Sequence, residues 1–457
     1  MTPLRWAIVA GVAVGVAYTL SPLTVLFGAL LVPLWRWASA GLTGTERRWI
    51  MTVFAIAVAI RFAAIAGLFM TADPAIPYAN FFGDEEFFKR KTTWLRNVAM
   101  GIPISTADFL YAFDKTGDSS YVTVLTYVQA VVGLAPYGIH AMNACLYLGA
   151  IAILYKLMRP AVGGLAALFG VTVLLFLPSL FVWSISALKE PLYFLLAAIN
   201  LYAAVQIVRG HSWVVRGLAL GGVIAVGLML QGLREGGLAL AVAGVAGGFG
   251  LAFLAARPRP MMVSALVVPV LVVVALSRPG VQERAWSVMH QAAEKHWGHI
   301  NTSGQTYRLM PPPFYVDRSA ITDMSPPDAG RYVVRAIWAY LTVPLPWDIE
   351  SRAGLAFLPE QMVWLVLLVL APIGVGAAFK RDALITSLLV THGCTSALIV
   401  ALSGGNVGTL VRHRGLALPY LVWISGAGAV RVGLALLERS RRSPAAVLKP
   451  ADARGGL

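Results

Sequence analysis

The chain has 457 residues, of which 58% are hydrophobic and only 12% charged, with a mean hydropathy of +0.74. Apolar runs of about twenty residues, the length a helix needs to cross a bilayer core, recur along it, which excludes a soluble protein and implies an all-α polytopic membrane protein. The formal charge of +15 divides between short connections rich in Lys and Arg on one face and a second set of basic residues on the opposite face, Lys189, Arg234, Arg412 and Arg414 among them. That second set points to an anionic substrate rather than to nucleic acid.

In chain order, twelve stretches read as spans: 3–20, 22–37, 50–70, 137–157, 161–178, 190–208, 214–231, 237–255, 261–277, 360–379, 383–402 and 416–436. The first run has no small-residue cleavage site followed by a polar start, so it reads as a retained span. Residues 1–457 form one integral membrane unit. Lys and Arg in short loops mark the cytoplasmic side, and Arg36, Arg47, Arg48, Lys156, Arg159, Arg209, Arg216, Arg257, Arg259, Lys380 and Arg381 all fall on one side when the N-terminus is inside. The basic tail, 437–457, is then cytoplasmic as well. Cys145 and Cys394 are the only cysteines and lie in spans, which argues against a disulfide framework or a thiolate zinc site.

Two segments are too polar to span, 71–136 and 278–359, and both are extracytoplasmic by this count. The first holds Gly83-Asp84-Glu85-Glu86-Phe87-Phe88, then a Gly117-Asp118-Ser119-Ser120 turn, then residues 121–134, which read as a short helix lying on the membrane. The second opens with the stretch from Gln282 to Arg308, and its prolines at 311–313 and 326–327 forbid a continuous helix. Residues 344–360 read as an interfacial stretch around Trp347. His290, His296 and His299 match no standard zinc spacing, and Asn301-Thr302-Ser303 is a formal glycosylation triplet.

Five polar features share the extracytoplasmic face: the acidic motif, Leu188-Lys189-Glu190-Pro191, Arg234-Glu235, the 278–359 loop, and Arg412-His413-Arg414. Pro191 suits the first turn of a helix, so the sixth span starts there and offers its N-terminus beside Lys189 to a phosphate. Arg234 sits between two apolar spans and needs a counter-charge, either Glu235 or a bound phosphate. In an extended segment Arg412 and Arg414 would point the same way and grip one anion, whereas in a helix they would diverge.

At these residues the chain resembles the GT-C superfamily of polytopic glycosyltransferases, whose members place an acidic pair in the first large extracytoplasmic loop, as Gly83-Asp84-Glu85-Glu86 does. The stretch from Tyr121 to Arg159, with Gln129 and Asn143, and the stretch from Phe181 to Pro191 resemble recurring segments of bacterial members. A third acid and an extra pair of spans before the motif depart from the family pattern. The resemblance implies a bacterial cytoplasmic-membrane enzyme that moves a sugar from a polyprenyl-phosphate carrier to a glycan, lipid or protein acceptor. It implies Asp84 as base, with Glu85 or Glu86 orienting the acceptor or holding a divalent cation such as Mg or Mn. Lys189, Glu190, Arg234, Arg412, His413 and Arg414 form the substrate-binding set. Two other readings stand beside this one. An undecaprenyl-pyrophosphate polysaccharide polymerase or ligase would lean on the basic residues, and a lipid or small-molecule transporter would need charges at mid-membrane and repeated halves.

Overall fold

The computed structural model describes residues 3–72, 81–82, 84–115, 117–257, 267, 270, 273–275, 277–302, 304–349 and 355–442. They form helices α1 (Pro3–Leu20), α2 (Pro22–Ser39) and α3 (Gly44–Thr71), followed by α4 (Glu85–Ala99), α5 (Thr106–Phe113) and α6 (Ser120–Val132) of the first polar segment. Next come α7 (Pro136–Val162), α8 (Gly164–Phe176), α9 (Pro178–Ile185), α10 (Glu190–Arg209), α11 (Trp213–Leu233) and α12 (Gly237–Ala255). The second polar segment supplies α13 (Pro279–Ile300) and α14 (Pro326–Thr342), and the chain closes with α15 (Leu358–Arg381), α16 (Ala383–Ser403), α17 (Val407–Arg414) and α18 (Leu418–Arg442).

Among the described residues nine helices are long and apolar enough to cross a membrane, and the bent pair α8 and α9 brings the number to ten. The expected 261–277 span lies largely outside the described residues. The expected 161–178 span is not a single straight helix: α8 and α9 meet at 60°. Helix α7 is the axis of the bundle, with 83% of its membrane-length window buried against protein, while no other span exceeds 50%.

The bend follows from Pro178. Its missing N–H leaves the Leu174 carbonyl without a helical donor, and the Tyr147 hydroxyl donates there instead. The next pair is separated as well. The Leu175 carbonyl accepts from Arg61 Nη2 at 2.9 Å, and the Ser179 N–H donates to Glu360 Oε2 at 3.0 Å. Arg61 is fully buried in α3 and also donates through Nε to Ser184 Oγ at 2.8 Å. Its guanidinium lies 5.0 Å from the Phe181 ring centre and 5.3 Å from that of Tyr147. An arginine at mid-membrane costs roughly 2.5–3.5 kcal/mol, a cost these neutral acceptors and ring faces offset.

Helices α15 and α18 approach through small residues, as membrane helices do when backbone contact replaces side-chain packing. A Cβ on Gly374 would collide with the Ile424 carbonyl, and one on Gly428 with that of Leu370. At the end of the bundle carrying the short connections, Glu46 accepts from Arg159 Nε and Nη2, each at 2.7 Å, and Asp382 accepts from Arg209 at 2.7 Å. The site residues lie at the other end.

There α13 is latched onto the end of α16. His296 donates from Nδ1 to the Gly404 carbonyl, and its Nε2 accepts from the Tyr315 hydroxyl at 3.1 Å. That hydroxyl in turn accepts from the N–H groups of Leu309 and Met310. His299 Nδ1 adds a bond to the Ser403 carbonyl at 2.8 Å. Burial holds the His296 imidazole down to about 4, against an ordinary 6.5. The released segment therefore binds a proton that the latched one refuses, so the latch is at full strength above pH 6.5 and weakens as pH falls towards 4. Amide exchange in α13, corrected for its intrinsic pH dependence, should accelerate over that window in the wild type. In His296→Asn it should already be fast and show no such step.

Candidate functional site

The three acids of the motif have three different environments. Glu85 opens α4 and is fully buried. Its Oε1 accepts from the Ala187 N–H at 2.7 Å, and its Oε2 accepts from the Phe81 N–H at 3.2 Å and from Lys89 Nζ at 3.1 Å. His140 Nε2 stands 3.8 Å away. Glu85 thus joins the first polar segment to the 186–189 connection before α10, and it is in no position to meet a substrate. Glu86 is exposed and makes no ion pair among the described residues. Asp84, just before the helix, is 69% exposed and its Oδ2 lies 3.4 Å from Arg412 Nη1.

Asn143 of α7 fixes the same 186–189 connection, donating to the carbonyls of Ser186 at 2.7 Å and Leu188 at 2.8 Å. With Pro191 in its first turn, α10 begins at Glu190 as expected. Lys189 is half-buried and its ammonium makes no hydrogen bond or ion pair among the described residues. Burial, then the charges of Arg234 and Arg412, draw its pKa below the ordinary lysine range against the opposing pull of Glu190.

Arg234 is carried by the tight α11–α12 turn. Gly236 takes φ +82°, a left-handed conformation that a side chain resists, and a Cβ on Gly237 would run into the Leu230 backbone. The Arg234 guanidinium reaches Glu190 Oε1 at 3.7 Å, the Tyr193 ring at 5.9 Å and His413 Nε2 at 3.4 Å. Its partner is therefore Glu190, while Glu235 pairs with Lys295 at 3.4 Å.

Arg412, His413 and Arg414 lie on helix α17, so the extended arrangement does not hold and the two arginines diverge. Arg412 joins the site: Nε donates to Glu190 Oε1 at 3.0 Å, and the guanidinium lies 4.6 Å from the Trp183 ring centre. Arg414 is buried elsewhere. It donates to Gln361 Oε1, the Tyr340 carbonyl and the Val343 carbonyl, each at 2.6 Å, and packs against Trp364. All of these are neutral acceptors, so Arg414 fastens α14 to α15. Burial and the nearby arginines hold His413 well below the ordinary histidine range. It acts as a neutral acceptor for Arg234, not as a further cation.

These groups stand beside a pocket with about 530 Å³ of empty space, counted to its open mouth. Glu190, Arg412 and His413 contribute to its wall, which is otherwise mainly apolar, with Trp183, Tyr193, Phe194, Leu416, Pro419 and Tyr420 prominent. Trp183 and Ser184 reach it from α9, so the bend at Pro178 shapes one side. Among the described residues the buried Glu190 Oε2 atom has no hydrogen-bond partner.

Trp183 and Tyr193 are the members of this group that charge-based reading of the sequence passes over. A lone arginine inside the apolar run 50–70 was the available sign of Arg61. Among the described residues no three His, Cys, Asp or Glu side chains converge as a metal group. Glu85 is committed to backbone and Lys89, Asp84 faces Arg412, and His296 and His299 are bonded to carbonyls.

Glu85→Gln should lower stability by about 2–4 kcal/mol, because it removes the charge facing buried Lys89. Asp84→Asn, at an exposed pair, should change stability by less than about 1 kcal/mol. Thermal unfolding of the two variants in one detergent measures the contrast.

Comparison of the chain with protein-family models, curated proteins and solved structures returned no match.

Proposed function

We propose that this protein is a glycosyltransferase that transfers a sugar from a polyprenyl-phosphate carrier to a cell-envelope glycan, lipid or protein. The observation that carries the reading is an apolar pocket joined to a cluster in which Lys189, Arg234 and Arg412 outnumber Glu190 and Asp84 by one charge, with the Lys189 ammonium unpartnered among the described residues. An apolar cavity suits the first units of a prenyl chain, and one surplus positive charge suits a phosphodiester monoanion. A pyrophosphate-linked glycan, as a polymerase or ligase would use, brings one more negative charge than the cluster balances.

In the reaction, the acceptor hydroxyl oxygen bonds to the anomeric carbon while its proton passes to the Asp84 carboxylate. The bond from the anomeric carbon to the phosphate oxygen breaks and its electron pair leaves with the polyprenyl phosphate, which goes from monoanion to dianion. Lys189, Arg234 and Arg412 stabilise that second charge, which develops only as the bond breaks, so they favour the transition state over the bound donor. Glu85 positions Asp84 without touching the substrate, and the second polar segment borders the site. Attack from the face opposite the leaving group inverts the anomeric configuration. In this reading the face lies on the extracytoplasmic side of a bacterial cytoplasmic membrane with both termini inside, an orientation that the Lys- and Arg-rich short connections support.

Labelled sugar supplied on a panel of polyprenyl phosphates to reconstituted protein and membrane acceptors tests the reading. Wild type should transfer from one donor with inversion, and Asp84→Asn should lose at least about a hundredfold in rate while still binding donor. Undiminished transfer by that variant, or a product of retained configuration, would overturn it. Donor affinity should also fall as pH rises through the depressed Lys189 pKa, before an ordinary lysine deprotonates, and Lys189→Arg should abolish that fall. Donor binding between pH 7 and 10.5 measures this.

A further inference from the structure

Helix α14 has two faces, and the rest of the protein accounts for only one. Tyr332, Ala336, Ala339 and Tyr340 are buried at helical spacing. The opposite side exposes Val334 at 68%, Ile337 at 40% and Trp338 at 66%, flanked by exposed Arg331 and Arg335. This stripe neither lines the pocket nor meets the charged cluster.

Its level in the molecule follows from its bonds. The Tyr332 hydroxyl donates to the Leu402 carbonyl at 2.6 Å, one residue from the end of span α16. Nine residues further along α14, the Leu341 carbonyl accepts from Trp364 Nε1 at 3.1 Å, and the Thr342 carbonyl accepts from Gln361 at 2.8 Å, both in the opening turns of span α15. A helix advances about 1.5 Å per residue, so α14 crosses the ends of two spans. Trp364 lies six residues inside its span and Leu402 only one from the end of its own, so the C-terminal half of α14 sits deeper. That is the half carrying the apolar stripe.

We propose that this face lies in the lipid interface of the membrane the spans cross, with the ring of Trp338 and the side chains of Val334 and Ile337 among the upper acyl carbons and Arg331 and Arg335 at the phosphates. Three things favour lipid over a protein partner. Val363 and Val366 of α15, the span whose Trp364 and Gln361 hold the C-terminal end of α14, are exposed as well, a tryptophan stands at the depth where such rings are enriched, and cations border the stripe on the headgroup side. The second polar segment is then docked onto the bilayer at one end of α14 and onto the protein by the His296 latch.

The test uses the full chain in nanodiscs of phosphatidylethanolamine and phosphatidylglycerol, with exposed Cys394 replaced by serine and a nitroxide placed singly at Val334→Cys, Trp338→Cys or Arg331→Cys. Relaxation by dissolved oxygen should exceed that by a water-soluble nickel chelate several-fold at 334 and 338, with the order reversed at 331. Nickel dominance at all three positions would overturn the proposal by showing a solvated face. Protection from both reagents at 334 and 338 would overturn it in favour of a protein-covered one. A milder variant guards against misfolding. Brominated phospholipid should quench a smaller share of the tryptophan emission in Trp338→Phe than in the wild type, and an unchanged share would equally overturn the proposal.

Discussion

Pro178 has no N–H to give Leu174, and within a bilayer that missing donor has to be replaced by protein, because neither lipid nor bulk water is at hand to do it. Much of the arrangement around the site answers this constraint. Tyr147 comes from α7, Arg61 from α3 and Glu360 from α15, and each meets one backbone group released by the bend. Three separate spans are thereby tied to the junction of α8 and α9. Helix α9 then presents Trp183 to Arg412 and Ser184 to Arg61. The pocket wall is held from behind, not by its own packing alone.

Around this frame the polar groups divide into those that build and those that face the pocket. Glu85, Asn143 and Arg414 are buried and bonded mainly to backbone or to one neighbouring side chain, and each joins elements distant in sequence. Asp84, Lys189, Arg234 and Arg412 are less enclosed, and their charges meet across four different elements. Charged groups committed to carbonyls and N–H groups have little left to offer a ligand, whereas a half-buried lysine with no partner among the described residues retains its full demand for an anion. Chemically similar residues a few positions apart therefore serve unlike ends, as Glu85 and Asp84 do, or Arg412 and Arg414.

Hydropathy made most of the spans legible, since a run of about twenty apolar residues admits few other readings. It could not show the bend between α8 and α9, because an average over a window does not register where one proline interrupts the backbone. The meeting of Asp84, Glu190, Arg234 and Arg412 was legible only as a shared face. Their pairing depends on helix phase, and phase decided that Arg412 and Arg414 part company once α17 proved helical. The burial of Glu85 was not legible at all, for nothing in three consecutive acids tells which one turns inward. Trp183 and Tyr193 were overlooked for a related reason, since aromatic residues near span ends are common and their stacking on arginines appears only in three dimensions.

Arg412 is shared. It holds Glu190 on one side and Asp84 on the other, so any anion that engages this guanidinium must compete with both carboxylates. Coupling of this kind is reciprocal: whatever draws Arg412 away from Asp84 also sets Asp84 loose, and whatever neutralises Asp84 leaves Arg412 freer to bind. Ligand occupancy and the readiness of the nearby carboxylate are thus two readings of a single equilibrium. If the site binds the donor as proposed, filling it frees the carboxylate that Arg412 otherwise holds, with no moving domain required.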